Sequence, residues 1–464
     1  MEKFDYWIVS SPKIAGWAMS LELVQKKLLE NYGIVWVKAP STYFLTSLFS
    51  RTVNVDKIEK VLEKKFNSIT RNFLLLKRRV PYFHAFFLAI KFTIRFFKSK
   101  DFDFEDQKRE IPLGKIIASN TSRLSGNYSI GDYSIKLKHV FEIISEIYQT
   151  TIYLEKITKI YGMPKIIIFP NGRCMTGASV FAFARKNKIK SNGYECGFKA
   201  QSWQLFENSP HFPPDWWEKL RRYKIKKYQE KELIDYWLIK SKGLDVKNKI
   251  NWSANFDSEK MPVGINKKSI TFFTSSNHEK QPFDEWNYFE GDFFDQIEAA
   301  RSLKDISRIN GFKLIIRRHP NSVSINGIDT EEKYWKEFMN DSNVVYISPH
   351  SRIDSYALIR KSTLIFTHES TIGLEAIFLG KPSYATGPAY WAISEDLRAW
   401  SSKRIERLIQ NPKIYKGKIL FQWAEMMLKG GEDLQIFDFF KDNVAVFQHI
   451  PVYYKESKLR KILK

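Results

Sequence analysis

The sequence predicts an α/β protein with two doubly wound parallel sheets. Three observations lead there. Short apolar runs alternate with stretches whose apolar residues fall at helical spacing. In the second half these strand–helix units follow one another at roughly 20–30 residues each, the length of a βαβ step. The runs also end in hydroxyl, cationic or imidazole side chains, as strands do when their carboxyl ends face a ligand crevice.

The chain opens with a short apolar run, Tyr6–Ser10, then a turn-rich "SPKIAGWA". The stretch "MSLELVQKKLLENYG" has helical spacing and ends on Gly33, a residue suited to helix termination. Ile34–Pro40 is the next strand. Residues 41–150 read as mostly helical, with a polar loop at Ala118–Ser134, and a helical basic insertion is expected over about 41–135. His139–Gly162 is a long amphipathic helix, Pro164–Arg173 a buried strand breaking into a loop, Thr176–Ile189 a helix and Lys190–Gly197 a short strand. Polar, basic and aromatic residues 201–260 end the first domain and form a linker. Strands then follow at Ser269–Ser276, Phe312–Pro320, Asn343–Pro349, Thr363–Glu369 and Lys381–Gly387, with helices at Phe293–Gly311, Asp354–Ser362 and Ser370–Gly380. The expected domains are 1–260, 261–430 and a basic helical tail, 431–464.

At 464 residues the chain is long enough for two or three full cores. Its two cysteines, Cys174 and Cys196, exclude a disulfide framework and a four-cysteine zinc site. The net charge is +23, and it is uneven: residues 51–100 hold 13 basic and 3 acidic side chains. Such a surface attracts anions. The charge comes without any nucleic-acid recognition module, so no nucleic-acid partner is expected. No signal peptide and no apolar run of about 18 residues is visible. The stretch Val80–Lys100 is apolar but broken by Lys91 and Arg95 into an amphipathic pattern. It reads either as a helix lying on an anionic leaflet or as one that packs domains together.

The strand ends of the second half carry Thr274, Ser275 and Ser276, then Arg317, Arg318 and His319, then Ser348, then Thr367 to Thr371. Together these suit an anion, a phosphate above all. Ser370 and Thr371 stand where a strand turns into a helix, whose free N–H groups favour negative charge. Gly373 would allow close approach, and Glu375 in the first turn could accept from a ribose diol. The plainer alternative is a capping pattern. His319, before Pro320, is placed to meet a phosphate; Arg317 and Arg318 alternate, so at most one of them faces inward easily. Walker, GxGxxG and HExxH patterns are missing. The "DFDFED" of Asp101–Asp106 reads as a solvated loop rather than a metal-binding pair at a strand end.

The order "FTSS", "FFDQIEAA", "IIRRHPN", "IDSYALIRKSTLIFTHESTIGLEAIFLGKPSYATGPAYW" resembles the C-terminal half of capsule polysaccharide biosynthesis proteins. These are GT-B glycosyltransferase-like proteins that include bacterial Kdo transferases. The His-Pro and Ser/Thr motifs are similar to those of bacterial sialyltransferases of that fold. The resemblance covers 269–392, and Phe169–Gly197 is similar to an N-terminal-half segment of the same proteins. His368 and Glu369 stand where smaller residues are expected.

The resemblance implies two Rossmann-like domains facing a cleft and a nucleotide-sugar donor, CMP-linked sugars among the candidates. With no Asp-x-Asp pair at a suitable strand end, the expectation is an enzyme that uses no metal, and no cofactor is expected. The donor would meet Ser275, Ser276, Arg317, His319, Ser370, Thr371, Gly373 and Glu375 in the C-terminal domain. The acceptor, a glycolipid or polysaccharide, would meet Asn171 and Arg173 in the N-terminal domain. Glu195, between Gly193 and Gly197, would be the base, with His319 assisting the leaving group. The plainer reading pairs Glu195 with Arg173 as a structural ion pair. Alternatives on the same scaffold are a nucleotide-sugar epimerase, a teichoic-acid-type polyol-phosphate polymerase and a non-catalytic polysaccharide export or binding factor. The expected place is the cytoplasm, at the inner face of the membrane.

Overall fold

The structure, a computed structural model, describes residues 4–10, 14–37, 51–53, 56–69, 73–76, 83–99, 103–125, 137–199, 201–225, 229–241, 268–275, 282–286, 288–293, 295–322, 329, 331–437, 439–441, 444–447, 450–452 and 454–456.

Strand β1 (Tyr6–Val9) starts the first sheet, and helix α1 (Ile14–Leu29) returns the chain to β2 (Ile34–Val37) alongside it. After β3 (Arg51–Val53), α2 (Asp56–Ile69) crosses to β4 (Phe73–Leu76), parallel to β2. Helices α3 (Phe83–Ser99), α4 (Leu113–Ser125) and α5 (Leu137–Tyr161) follow. Then β5 (Ile166–Pro170), α6 (Met175–Lys186) and β6 (Lys190–Cys196) complete a parallel run, and β7 (Ser202–Phe206) turns back against β6. The parallel order β4-β2-β1-β5-β6 is the 3-2-1-4-5 order of a Rossmann-like unit.

Helices α3 to α6 cover one face of this sheet and α1 with α2 the other. Its strands are apolar on both sides, as a doubly covered parallel sheet requires. The expected insertion over 41–135 is therefore only partly one. Helix α2 is a crossover and β4 is a strand of the sheet, because "FLLL" is a continuous apolar run that a buried parallel strand can use on both faces. Among the described elements α3, α4 and the short β3 stand outside that sheet and its crossovers, and α4 continues to Ser125, through residues read as loop. Asp106 is buried too. It accepts from the Tyr148 hydroxyl at 2.8 Å and pairs with Arg109 at 3.3 Å.

Helices α7 (Pro213–Arg222) and α8 (Glu230–Lys240) lead to the second unit. This unit holds β8 (Ser269–Phe273), α9 (Gln296–Ile309), β9 (Lys313–Arg317), α10 (Glu332–Met339), β10 (Val344–Ile347), α11 (Ser355–Lys361), β11 (Leu364–Thr367), α12 (Ile372–Phe378) and β12 (Ser383–Ala385). All five strands are parallel, in the order β10-β9-β8-β11-β12, again 3-2-1-4-5. The expected pair of doubly wound, Rossmann-like sheets is what the chain forms.

The chain crosses between the units repeatedly. Helices α7 and α8 pack on α12 and on α14 (Ile419–Lys429), which follows α13 (Ser402–Gln410). Phe283 and Trp286 insert into the first unit's core. After α14, β13 (Glu432–Asp433) pairs with β7, and the Glu22 carboxylate accepts the N–H groups of Gln435 (2.9 Å) and Ile436 (2.7 Å). Among the described residues the tail, expected to be helical, holds strands. It forms β14 (Phe439–Lys441), β15 (Val444–Phe447) and β16 (Ile450–Val452) as an antiparallel sheet, and β17 (Tyr454–Glu456) pairs with β3. Its β-branched and aromatic residues and Pro451 favour strands over helix.

Gly177 sets α6 down on the end of β5. A Cβ there would lie 2.0 Å from the Pro170 carbonyl oxygen and 2.6 Å from that of Asn171. Neither backbone oxygen can yield cheaply. Gly177→Ala should therefore lower the unfolding free energy by about 1–3 kcal/mol, the usual cost of overpacking. Urea denaturation checks this: the midpoint should fall with little change in slope.

Candidate functional site

The strand order of the second sheet reverses between β8 and β11, and ligands of open α/β sheets bind at such a switch point. There the structure has a cavity of about 260 Å³ lined by Ser275, His319, Glu369, Ser370, Thr371, Pro388 and Tyr390. Backbone bonds hold its floor. The N–H of Thr274 bonds the Arg317 carbonyl at 3.1 Å, and that of His368 the Phe273 carbonyl at 3.2 Å. Ser275 is clamped at both backbone groups by the buried Gln296 amide, at 2.9 and 3.3 Å. Its hydroxyl accepts the Glu369 N–H at 2.8 Å, and the Thr274 hydroxyl accepts the His319 N–H at 2.8 Å. The Ser370 carbonyl accepts from the Trp391 indole at 3.0 Å. Tyr390 stacks on Trp216 of α7 with ring centres 4.9 Å apart, so a helix from the first half braces this wall.

The structure thus brings Ser275, His319, Ser370 and Thr371 together and sends other expected donor residues elsewhere. Arg317 is buried, and its guanidinium donates to the carbonyls of Ser348 (2.5 Å) and Ser351 (3.0 Å). Burial pulls its pKa down to about 10. Arg318 turns the other way, to Asp329, Glu331 and the face of Trp335. Strand alternation separates the two, and both are consumed in bracing loops. Glu375 lies on the inner side of α12, where it accepts from the Tyr356 hydroxyl at 2.5 Å and sits 3.9 Å from Lys240. Burial raises its pKa, Lys240 and Tyr356 opposing.

Gly373 does permit a close approach, but of the Trp391 ring, 2.3 Å from where its Cβ would be. Helix α12 has only seven residues, and the N–H groups of Gly373 and Leu374 already bond the carbonyls of Ser370 and Thr371. Its N-terminus is a smaller anion site than the sequence suggests. Ser276 lies outside the described residues.

In the first unit, Asn171 follows β5 and Glu195 lies near the end of β6. The Asn171 amide donates to one Glu195 oxygen, and the Cys196 N–H donates to the other at 2.9 Å. The Asn171 oxygen accepts the Arg173 N–H at 3.2 Å and faces His211 Nε2 at 2.9 Å. The sequence reading did not single out His211. Its one signal was a histidine set among prolines in "SPHFPPDW", which gives no spacing to Asn171. The imidazole is buried, and burial with the nearby Arg173 charge pushes its pKa down to about 3. It is neutral, and because Asn171 offers an acceptor, Nε2 carries the proton. Nδ1 has no hydrogen-bond partner among the described residues. Glu195, Asn171 and His211 therefore form one line of hydrogen bonds, with His211 fixing which way the amide faces. Among the described residues, no three His, Cys, Asp or Glu side chains converge as metal ligands would.

Fold and site together define a protein of two Rossmann-like sheets with a polar cavity at the second switch point. Residues 238–388 match the model of a family described as "putative O-antigen biosynthesis protein", and that segment contains all the cavity's lining residues but Tyr390. No curated protein sequence matches the chain. Among solved structures it is similar to the KpsC beta Kdo 2,7 transferase of Thermosulfurimonas dismutans, at 12% identity over 67% of this chain and 89% of that one, with a TM-score of 0.34. The beta Kdo 2,4 transferase of the same KpsC gives 12% identity over 56% and 79%, TM-score 0.32. The UDP-GlcNAc 2-epimerase of Methanocaldococcus jannaschii gives 10% over 92% and 99%, TM-score 0.26. At such scores the likeness says nothing of site or chemistry, and the fold stands on its own strand order.

His368, like His211, is a neutral imidazole, though its side chain keeps 12% exposure. Burial holds its pKa near 4, and Nδ1 lies 3.2 Å from the Thr386 hydroxyl. Both folded values lie below the ordinary 6.5, so the unfolded chain binds these protons more tightly. The stability they permit is whole above pH 6.5 and is lost as pH falls toward 4, and toward 3 for His211. The loss approaches about 1.4 kcal/mol per pH unit for each imidazole. Urea unfolding of the protein and of His368→Gln between pH 7 and 4.5 checks this. The variant should show the shallower fall, and equal slopes would mean that the fold does not hold His368 neutral.

Proposed function

We propose that the chain is a glycosyltransferase of bacterial surface-polysaccharide assembly, of the capsule or lipopolysaccharide kind, taking a nucleotide-sugar donor at the His319 cavity. One observation carries the reading. Ser275, His319, Ser370 and Thr371 converge at the switch point of the second sheet, inside the segment that matches the O-antigen family. As the bond from the sugar to phosphate breaks, charge grows on the leaving nucleotide, and preorganised donors there lower the barrier. His319 supplies an imidazole N–H. The Ser275 hydroxyl accepts from a backbone N–H and so keeps its own proton to give.

On the other side, Glu195 takes the proton of the acceptor hydroxyl, whose oxygen bonds the anomeric carbon while the nucleotide leaves with the electron pair of the broken C–O bond. This is an inverting reaction. Asn171 and Arg173 orient Glu195 and the acceptor. The sequence places no Asp-x-Asp pair at a strand end, and the reading gives no metal a part.

Two substitutions test it. His319→Ala should keep its fold and bind nucleotide about tenfold to hundredfold more weakly, the cost of a hydrogen bond to a charged group. Glu195→Gln should keep nucleotide affinity and lose transfer by at least about a hundredfold, the low end of general-base contributions. Calorimetry against CMP, UDP and GDP, then product formation from the sugar nucleotide that binds, reads both. Unchanged affinity in His319→Ala moves the donor elsewhere.

Helix α3 supports a place at an anionic membrane surface. Its Ala85, Ala89, Phe92 and Phe96 are buried, within the core that α5 also lines. On the other side Phe83, Phe87, Ile90 and Ile94 are exposed, Phe83 by 71% and Phe87 by 65%. Lys91 and Lys98 accompany this stripe. The packing and membrane readings of this helix thus each take one face. No helix among the described residues is long and apolar enough to cross a membrane. The protein should bind vesicles containing anionic phospholipid in a salt-sensitive manner and ignore neutral ones. The double variant Phe83→Ser, Phe87→Ser should lose most of that binding in a flotation assay while keeping its circular dichroism. Equal binding to neutral and anionic vesicles would contradict this.

A further inference from the structure

The first unit carries a second cavity, of about 330 Å³, that shares no lining residue with the one beside His319. It opens between β7, the second half of α7 and the end of α14, with Trp203, Gln204, Lys219, Arg222, Tyr223 and Lys429 among its walls. Small-molecule sites run from roughly 300 to 1,000 Å³, so this one suits a sugar-sized group rather than a lone ion.

The charges around it are paired, with one exception. Arg222 pairs with Glu218 and lies 3.9 Å from Glu207. Lys429 bonds Glu425 at 3.2 Å and Glu232 at 3.1 Å. Glu432 is held by Lys26 at 2.6 Å. Asp215, one turn before Lys219, accepts from the backbone of Asn208 at 2.8 Å and from its side chain at 2.8 Å. Lys219 itself has no carboxylate within ion-pair distance among the described residues. Its ammonium meets the Gln204 side-chain oxygen at 3.4 Å and lies 4.0 Å above the Phe206 ring. Both are poor substitutes for water around a positive charge. Burial accordingly pulls the amine's pKa down to about 8, with Asp215 and Glu432 opposing the fall and Arg222 adding to it. A cation so placed lacks one partner, and a cavity stands where that partner would be.

We propose that this cavity binds the oxyanion of a sugar-sized molecule, a carboxylate or a phosphate, with Lys219 as its main contact and Arg222 and Lys429 as outer cations. Trp203 and Tyr223 form the walls for the rest of the ligand. The inference goes beyond the transferase reading and does not depend on it, since no cavity residue is shared.

Competitive acetylation tests it on the intact protein. Trace acetic anhydride is added at pH 8 and constant ionic strength, and each lysine's labelling is read by mass spectrometry. Sodium phosphate is titrated in one arm and sodium glucuronate in the other. Without either, Lys219 should label faster than the exposed lysines, because about half of it is free amine at that pH. A bound anion restores the ammonium. If its pKa returns to an ordinary lysine value, free amine falls by about two orders of magnitude, and a saturable drop of at least about tenfold is expected. Protection by glucuronate alone assigns a carboxylate, by phosphate alone a phosphate, and by both an oxyanion site of either kind. In calorimetry Lys219→Gln should bind the protecting anion at least about tenfold more weakly while melting as the parent does. Should that variant unfold, the labelling of the parent decides. The proposal is overturned if neither anion protects Lys219, if both protect all lysines alike, or if a folded Lys219→Gln binds as well as the parent.

Discussion

The backbone ladder of the parallel sheets runs one residue past six of the described strands, and the site depends on that. The N–H groups of Thr274, Arg318, His368 and Thr386 all reach carbonyls of the neighbouring strand, at 2.8 to 3.2 Å. In the first sheet Ser10 and Asn171 do the same. Buried backbone groups must be paired, and in a parallel sheet covered on both faces these are the partners within reach. The residues that begin the loops are therefore fixed before any side chain acts. His319, Ser275 and Ser370 belong to such loops, and Asn171 stands at one directly. Short bonds from side chains to these loops, such as Thr274 to the His319 N–H, then orient what the ladder has anchored.

Sequence pattern conveyed all five strands of the second unit and the helices α9, α11 and α12, because those strands are uninterrupted apolar runs, while α10, α13 and α14 were not singled out. The first unit was harder to read for a physical reason. Strand β4 is four residues long, "FLLL", and lies between basic stretches, so its apolar run is indistinguishable from part of a helix until its pairing with β2 is seen. In the tail, β-branched and aromatic residues carry a strand signal, against the helix expected there.

For the site, type of residue was legible and direction was not. Arg317 and Glu375 are the chemistry a phosphate and a ribose would want, yet each is turned into the protein. A strand places alternate residues on opposite faces, but it does not say which face a loop will later claim. Carbonyls of residues 348 and 351 claimed Arg317, and Tyr356 claimed Glu375. His211 shows the converse. It lies 40 residues from Asn171, and only the antiparallel return of β7 along β6 brings the loop that carries it to the end of β5.

The pairing of β13 with β7 has a consequence for how this protein comes to exist. The edge of the first sheet, and the two backbone donors held by the buried Glu22 carboxylate, are supplied by residues 432 to 436. During synthesis those residues appear only after the whole second unit has left the ribosome. Until then the emerging first unit has an open edge at Ser202 and Trp203, and a carboxylate that must stay wet. Vectorial folding can thus build the first core but cannot finish it. Helix α1 waits for residues that follow α14, and the two halves mature as one event rather than in turn.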